Sequence, residues 1–495
     1  MTKRPRRNAR ATRLILTAAT LFLAACSVNP ATGERDFTAF MSPEDELQIG
    51  RDQHPKIIQQ FGGVYNDPKI TAYVDRVGQS LAQVSELPEL DFTFTVLDDD
   101  IVNAFALPGG FVYISRGLLG LANTEAELAG VLGHEIGHVT GRHSAQRYSQ
   151  SVIAGIGTAG VSILSSVFLG TSAVGDAVGQ SAGLYLQGFS REHEFEADTL
   201  GVRYLSRTGY ETGAMASFLA SLEAFSALEA KVSGLPDPAS RYNIMSTHPR
   251  TGDRVNAATR AANVQPVANP KTGSREYLAA IDGITFGDSA AEGFVRGRRF
   301  VHEPANFMFE VPRGFTLFNG AQQVAARGPN DSLILFSGGT IPHRGNMESY
   351  LTRVWAKNTS LADVETIDIN GMQAATGRTR IRNRTGTFDA QLVAIRHDPS
   401  NIYRFMFLTR PAQTAALNKE LRRTTFSFRT LTAADRARYG PWRIEMRVVR
   451  RNDTVARLSR NMPMQGPKDE WFRVLNGMTP GQQPVPGQVV KVVVE

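Results

Sequence analysis

The sequence predicts an α+β chain: a mainly helical domain with a small sheet, then an α/β sandwich domain, then a short C-terminal module. Three observations carry this. Residues 44 to 84, "PEDELQIGRDQHPKIIQQF" and "DPKITAYVDRVGQSLAQV" included, place apolar side chains at three-and-four spacing. Residues 300 to 432 instead alternate strands such as "FMFEVP", "SLILFSG", "DAQLVAIRH" and "IYRFMFLTR" with helical pieces. At 495 residues the chain outgrows one core, so roughly two to four domains are expected. The boundaries read as 1–25 leader, 26–43 tether, 44–262 helical domain, 263–299 linker, 300–432 sandwich and 433–495 terminal module.

Composition is that of a globular protein, 42% hydrophobic and 20% charged. The leader differs. "MTKRPRRNARATR" has six basic and no acidic residues, and Leu14 to Ala25 is an apolar run too short to cross a bilayer. That is the pattern of a signal peptide. Without it the 54 basic residues fall to 48 against 47 acidic, and the formal charge falls from +7 to +1. The basic balance therefore belongs to the leader, and nucleic acid is excluded as a partner. Cys26 is the only cysteine, so no disulfide forms within the chain.

Taken in order, "LDFTFTVLDD" alternates as a strand does, and "AFALPGGFVYIS" reads as a turn leading into another. "NTEAELAGVLGHEIGHVTGRHSAQRYS" opens on an N-cap at Asn123 or Thr124, with acidic residues in its first turn and a buried centre. Residues 151 to 189 hold one charge, Asp176. Within them 152–170 carry none but are rich in Gly, Ser and Thr, so a packed hairpin or lid is expected there, not a membrane span. "GIGTAG" satisfies GxGxxG without the preceding strand that a dinucleotide site needs, so no nucleotide is expected. A second polar helix, "SREHEFEADTLGVRYLSRTG", follows.

Three of the nine histidines fall in "GVLGHEIGHVTGRHS", Gly130 to Ser144. On a helix His134 and His138 lie about 40° apart around the axis and one turn apart along it. Both imidazoles then reach one ion, with Glu135 beside it. A catalytic zinc takes three protein ligands and a water whose pKa it lowers towards about 7, leaving the glutamate to take the proton. His143 does not extend the pattern. HExxHxxGxxH places its last histidine at 144, which is Ser144, and on a continuing helix His143 sits about 140° from His138. It is expected behind the site or at the surface. In "SREHEFEAD", Glu194 and Asp198 share a helix face, so Glu194 can complete the site while Asp198 hydrogen-bonds a ligand histidine from outside. The alternative for this segment is a charged, solvated face.

"GHEIGHVTGRHS" with "SREHEFEAD" resembles the gluzincin family that contains HtpX and the CaaX-prenyl endopeptidases. "YNDPKITAYVDRVGQSLA", "NAFALPGGFVYISRGLL" and "STHPRTGDR" resemble its periplasmic, BepA-like lipoprotein branch. The resemblance implies a zincin-type domain, one zinc ion on His134, His138 and Glu194, and Glu135 as general base. Glu196 and His193 compete for the ligand place, and the family pattern selects Glu194. The resemblance also implies that Asn103 and Ala104 bind substrate at an edge strand. It implies that His248 approaches the zinc, as oxyanion stabiliser or latency switch, with Arg254 a weaker candidate for the same electrostatic task.

"LAAC", Leu23 to Cys26, resembles the lipobox of exported lipoproteins. It implies a lipid on Cys26, and Ser27 in place of Asp implies the periplasmic side of the outer membrane. Residues 300–432 resemble PsbP/Mog1-type sandwiches and carry no catalytic constellation. His302, His343 and His397 lie apart without metal spacing. The tail, with "NDTVARLS" and "PGQVVKVV", resembles a diverged LysM module, which implies peptidoglycan contact, although Asn452 replaces the usual glycine. The expected function is a zinc endopeptidase acting on misassembled envelope polypeptides by attack of a zinc-bound water. The alternative is an envelope-assembly chaperone or wall-binding scaffold with little proteolysis.

Overall fold

The computed structural model describes residues 26–158, 188–233, 248, 251–320, 323–383 and 386–495. It divides into two compact units, Met1–Ile284 with Ile444–Val494, and Thr285–Arg443.

The first unit opens on a hairpin, β1 (Cys26–Val28) antiparallel to β2 (Arg35–Phe37). Asn29 closes it: the side-chain oxygen accepts from Ala31 N at 2.8 Å and the amide donates to Asp36 at 2.8 Å. The segment expected as a tether is thus folded. It is bonded into the domain through Arg142, which reaches Ser27 Oγ and Met41 O, and through Gln146, which reaches Asp36. Two helices follow, α1 (Pro43–Gln60), with a Ser42–Asp45 capping box, and α2 (Pro68–Ala82), capped by Asp67. A three-stranded sheet comes next: β3 (Thr93–Leu97), β4 (Ala104–Leu107) and β5 (Phe111–Ser115). β5 is central, parallel to β3 and antiparallel to β4, which leaves β4 at an edge.

Short α3 (Arg116–Leu121) leads to α4 (Glu125–Thr140), whose N-cap is Thr124. Every residue of α4 but Val139 is buried. The helix stops at Gly141, Arg142 takes a left-handed φ of 51°, and α5 (His143–Thr158) starts in a new direction. The region expected as a hairpin or lid, 152–170, lies outside the described residues from 159 onward. Beyond it come α6 (Arg191–Thr208), capped by Ser190 and ended by Gly209 at φ 78°, then α7 (Ala214–Ser233) and α8 (Thr251–Val264).

Small residues let α4 and α6 approach closely. A Cβ on Gly133 would lie 3.2 Å from Gly201 Cα, and one on Gly137 would lie 3.2 Å from Ala197 Cα. The stretch expected as a linker holds α9 (Ser274–Ile281), fixed because buried Tyr277 donates to Leu119 O at 2.6 Å. No helix among the described residues is long and apolar enough to cross a membrane.

The second unit is strand-rich. β6 (Phe294–Arg296), β7 (Arg299–His302) and β8 (Phe307–Glu310) form one small sheet. β9 (Thr316–Asn319), β10 (Val324–Arg327), β11 (Leu333–Thr340), β12 (Ala362–Ile369), β13 (Met372–Asn383), β14 (Gly386–Arg396) and β15 (Asn401–Thr409) form a seven-stranded one. Its order is β9-β10-β11-β15-β14-β13-β12, antiparallel throughout. Helix α10 (Pro411–Ser427) packs on β8, β14 and β15, and β16 (Arg429–Thr430) joins the smaller sheet beside β8. Phe300, Phe307, Phe309, Phe336, Phe405 and Phe428 fill the core.

β17 (Trp442–Val448) carries the chain back to the first unit, where α11 (Val455–Ser459), α12 (Lys468–Leu475) and β18 (Val489–Val494) complete a β-α-α-β tail. The tail is docked by one fully buried cation. Lys491 Nζ donates to Gly120 O, Leu121 O and Ala122 O at 2.8, 2.9 and 2.8 Å, satisfying carbonyls at the C-terminus of α3. Burial drives the Lys491 ammonium down to about 7, with the Glu127 carboxylate opposing that shift.

Candidate metal centre

α4 and α6 meet face to face, and their polar residues converge at one point. His134 Nε2 and His138 Nε2 are 3.0 Å apart, and Glu194 places Oε2 3.6 Å from the first and Oε1 3.5 Å from the second. His248, just before α8, adds Nδ1 at 2.9 Å from Glu194 Oε1 and 3.3 Å from His134 Nε2. One donor atom from each of these four buried residues falls within 4.8 Å of the others. Among the described residues this is the one cluster of metal-ligating side chains.

Each residue is braced from behind. His134 turns Nδ1 to Asp198 Oδ1 at 2.9 Å. Arg254, on α8, grips Asp198 with two nitrogens, at 2.7 and 2.8 Å, and reaches Glu194 Oε2 at 2.9 Å. His138 turns Nδ1 to His143 Nδ1 at 2.8 Å, and its ring stacks on Phe189 with centroids 4.0 Å apart. Glu135 is fully buried one residue along α4, with Oε1 3.6 Å from His248 Nε2. Neither Glu135 oxygen has a hydrogen-bond partner among the described residues, nor has His248 Nε2.

The electrostatics follow from burial and charge. Burial raises the Glu135 carboxyl, and the nearby histidines and Arg254 recover only part of that. Burial also pushes Glu194 up, but His248, His134 and Arg254 outweigh it and hold the carboxyl below its ordinary range. Asp198 is held lower still, since burial is overcome by its doubly bonded Arg254. Burial, then the neighbouring cationic groups, keep His138 neutral, as a metal ligand must be. For His248 burial lowers the imidazole, and Glu194 and Glu135 more than reverse it.

A His138 imidazole held neutral, the His134 imidazole beside it, an ionised Glu194 carboxylate and a buried glutamate suit a tetrahedral N/O ion such as zinc. Residues 68–262 match the model of peptidase family M48. That stretch is similar to the M48 peptidases. The beta-barrel assembly-enhancing protease of Yersinia pestis is 32% identical over 49% of this chain and 49% of its own length. That of Escherichia coli strain K12 is 30% identical over 46% of each. The mitochondrial metalloendopeptidase OMA1 of Schizosaccharomyces pombe is 29% identical over 46% of this chain and 63% of its own. The chain thus spans about half the length of the bacterial relatives it matches. A solution structure of cyanobacterial PsbP from Synechocystis sp. PCC 6803 aligns over 29% of this chain and 98% of its own, at 14% identity and a TM-score of 0.23.

The same stretch also holds the edge strand. Asn103 commits its main chain inward: N donates to Ser115 Oγ at 3.1 Å and O accepts from Ser115 N at 3.0 Å. Bonding alternates along an antiparallel pair, so Ala104 and Ala106 turn their main-chain groups to the outer edge of β4. Ala106, Leu107, Val28, Leu87, Leu90 and His138 line a cavity of about 390 Å³. Sequence reasoning put His143 behind the site or at the surface, and it lies behind His138; it named Arg254 near the site without its bond to Asp198, and it missed Phe189. The break at Gly141–Arg142 was the available signal for His143: phase cannot be carried across a helix end.

Proposed function

We propose that the chain is a zinc endopeptidase of the bacterial envelope that cleaves misassembled envelope polypeptides. The observation that carries this is the convergence of His134, His138 and Glu194 from two helices beside a buried Glu135. Those three residues would hold the ion. Zinc, when bound, supplies Lewis acidity that polarises a peptide carbonyl and acidifies water. Glu135, its basicity raised by burial, takes the proton from water and returns it to the leaving amine. Ala104 and Ala106 add the substrate to the sheet as an extra strand, and Asn103 sits at the start of that edge.

His248 gives the site two states. Beside Glu194 it fills the place an attacking water needs, and a catalytic zinc keeps such a place open. Its withdrawal would free that place, which would make His248 a latch. Cys26 carries the lipid anchor at the periplasmic face of the outer membrane, in keeping with the lipobox-like "LAAC".

Zinc stoichiometry of the purified chain, with casein cleavage by wild type and by Glu135→Gln, tests the reading. No bound zinc, or full cleavage by the variant, defeats it. A second reading, an assembly chaperone or peptidoglycan-binding scaffold, draws support from the β-α-α-β tail and the latched histidine. Full rescue of an envelope-stress defect by Glu135→Gln would favour it.

A further inference from the structure

The two metal-facing imidazoles are backed differently. His134 meets its carboxylate directly, Nδ1 to Asp198 Oδ1 at 2.9 Å. His138 meets another imidazole, His143, with both Nδ1 atoms 2.8 Å apart. His143 is fully buried, and its far nitrogen, Nε2, lies 3.5 Å from Glu196 Oε1. Glu196 Oε1 also accepts from the Asn29 amide of the β1–β2 hairpin at 3.1 Å. His193 stacks on the His143 ring at 4.3 Å and 10°, and Gln146 Oε1 fixes His193 Nε2 at 3.0 Å.

We propose that His143 and Glu196 are positioning residues that orient His138 for metal binding, through a relay running from the N-terminal hairpin to the ion. The proton placement follows from geometry. His138 directs Nε2 at the cluster, so its proton sits on Nδ1 and donates to His143 Nδ1. His143 then carries its own proton on Nε2, directed at Glu196. The ring of His138 is thereby held in one tautomer and one plane. A carboxylate reaching a metal-bound imidazole raises its basicity and fixes its orientation. Here it does so through an interposed histidine. The left-handed turn at Arg142 makes this possible, since it returns His143 to the inner side of α4.

The inference rests on the metallopeptidase reading, and the test separates the two. Zinc affinity of the full chain is measured by competition with a chromogenic chelator. The visible spectrum of the cobalt(II)-loaded protein and the thermal unfolding of the metal-free protein are recorded beside it. Wild type without stoichiometric zinc overturns the parent reading. With wild type binding, His143→Ala is expected to lose about 10–100-fold in zinc affinity and to shift the cobalt bands. His143→Asn, which keeps an acceptor near the position of Nδ1, is expected to recover most of both. Glu196→Gln is expected to weaken binding in the same direction by less, with metal-free unfolding unchanged. Wild-type affinity and spectrum in His143→Ala overturn the proposal, and so does an Asn variant as defective as Ala. Should His143→Ala fail to fold, Glu196→Gln decides, and an unaltered affinity and spectrum there overturn it.

Discussion

The two units bury different things. Among the described residues of 285–443, the buried polar side chains are Ser289, Ser332, Thr409, Thr424 and Thr425, hydroxyls without exception. The first unit buries Glu125, Glu127, His134, Glu135, His138, His143, His193, Glu194, Asp198, His248 and Arg254. Burying a charge is costly unless it is paired, so such a concentration persists only where partners or an ion compensate it. Phenylalanines fill the core of one unit, and the other adds a cluster of buried charges to its apolar core. The contrast puts the cluster of buried ionisable groups in the first unit.

The comparison breaks most sharply at Glu135. Glu135→Gln is expected to slow peptide hydrolysis roughly 10²–10⁴-fold while zinc content stays stoichiometric, read by casein cleavage and metal analysis. Next comes the aromatic core. Phe336 packs on Phe309 and Phe405 with centroids 4.6 and 4.7 Å away. Phe336→Ala is expected to cost about 3–5 kcal/mol in denaturant unfolding and to leave zinc affinity untouched. A loss of metal with that variant would erase the division between the units.

Lys491→Met strips three carbonyls of their donor and is expected to cost about 1–3 kcal/mol, seen as an earlier unfolding midpoint of the first unit. The last prediction is read against pH, at Glu125. Burial raises its carboxyl, but bonds from Arg76, Lys271, Tyr210 and Tyr73 hold it at about 2, below its ordinary 4.5. The unfolded chain therefore binds the proton first as pH falls. This stabilisation is complete above 4.5 and drains as pH drops through about 2. Glu125→Gln should flatten the acid limb of a stability-against-pH curve in that window and nowhere else.

Much of this was legible in the residues. Helical phase brought His134 and His138 to one face, and the four-residue step from Glu194 to Asp198 gave the second helix its inner side. Period-two alternation located β8, β11, β14 and β15 within a few residues. Three features were not legible, each for a physical reason. The choice for His143 between the back of the site and the surface lay beyond a helix end, where rotation about the axis ceases to be defined. Residues 26–42 look like a tether because their fold depends on Arg142, Gln146 and Glu196, all more than a hundred positions away. Lys491, in an apolar strand, gives no hint that its partners are the carbonyls ending α3.

The glycines between α4 and α6 have a wider consequence. A metal tolerates ligand displacements of only about 0.2 Å, whereas a methyl on Gly201 would lie 3.1 Å from His134 N and 2.8 Å from Met215 Cε. These bare positions act as the gauge blocks of the domain. The chemistry is therefore vulnerable at places that hold no reactive atom, and inheritance could silence this chain by thickening a seam while every ligand stayed in place.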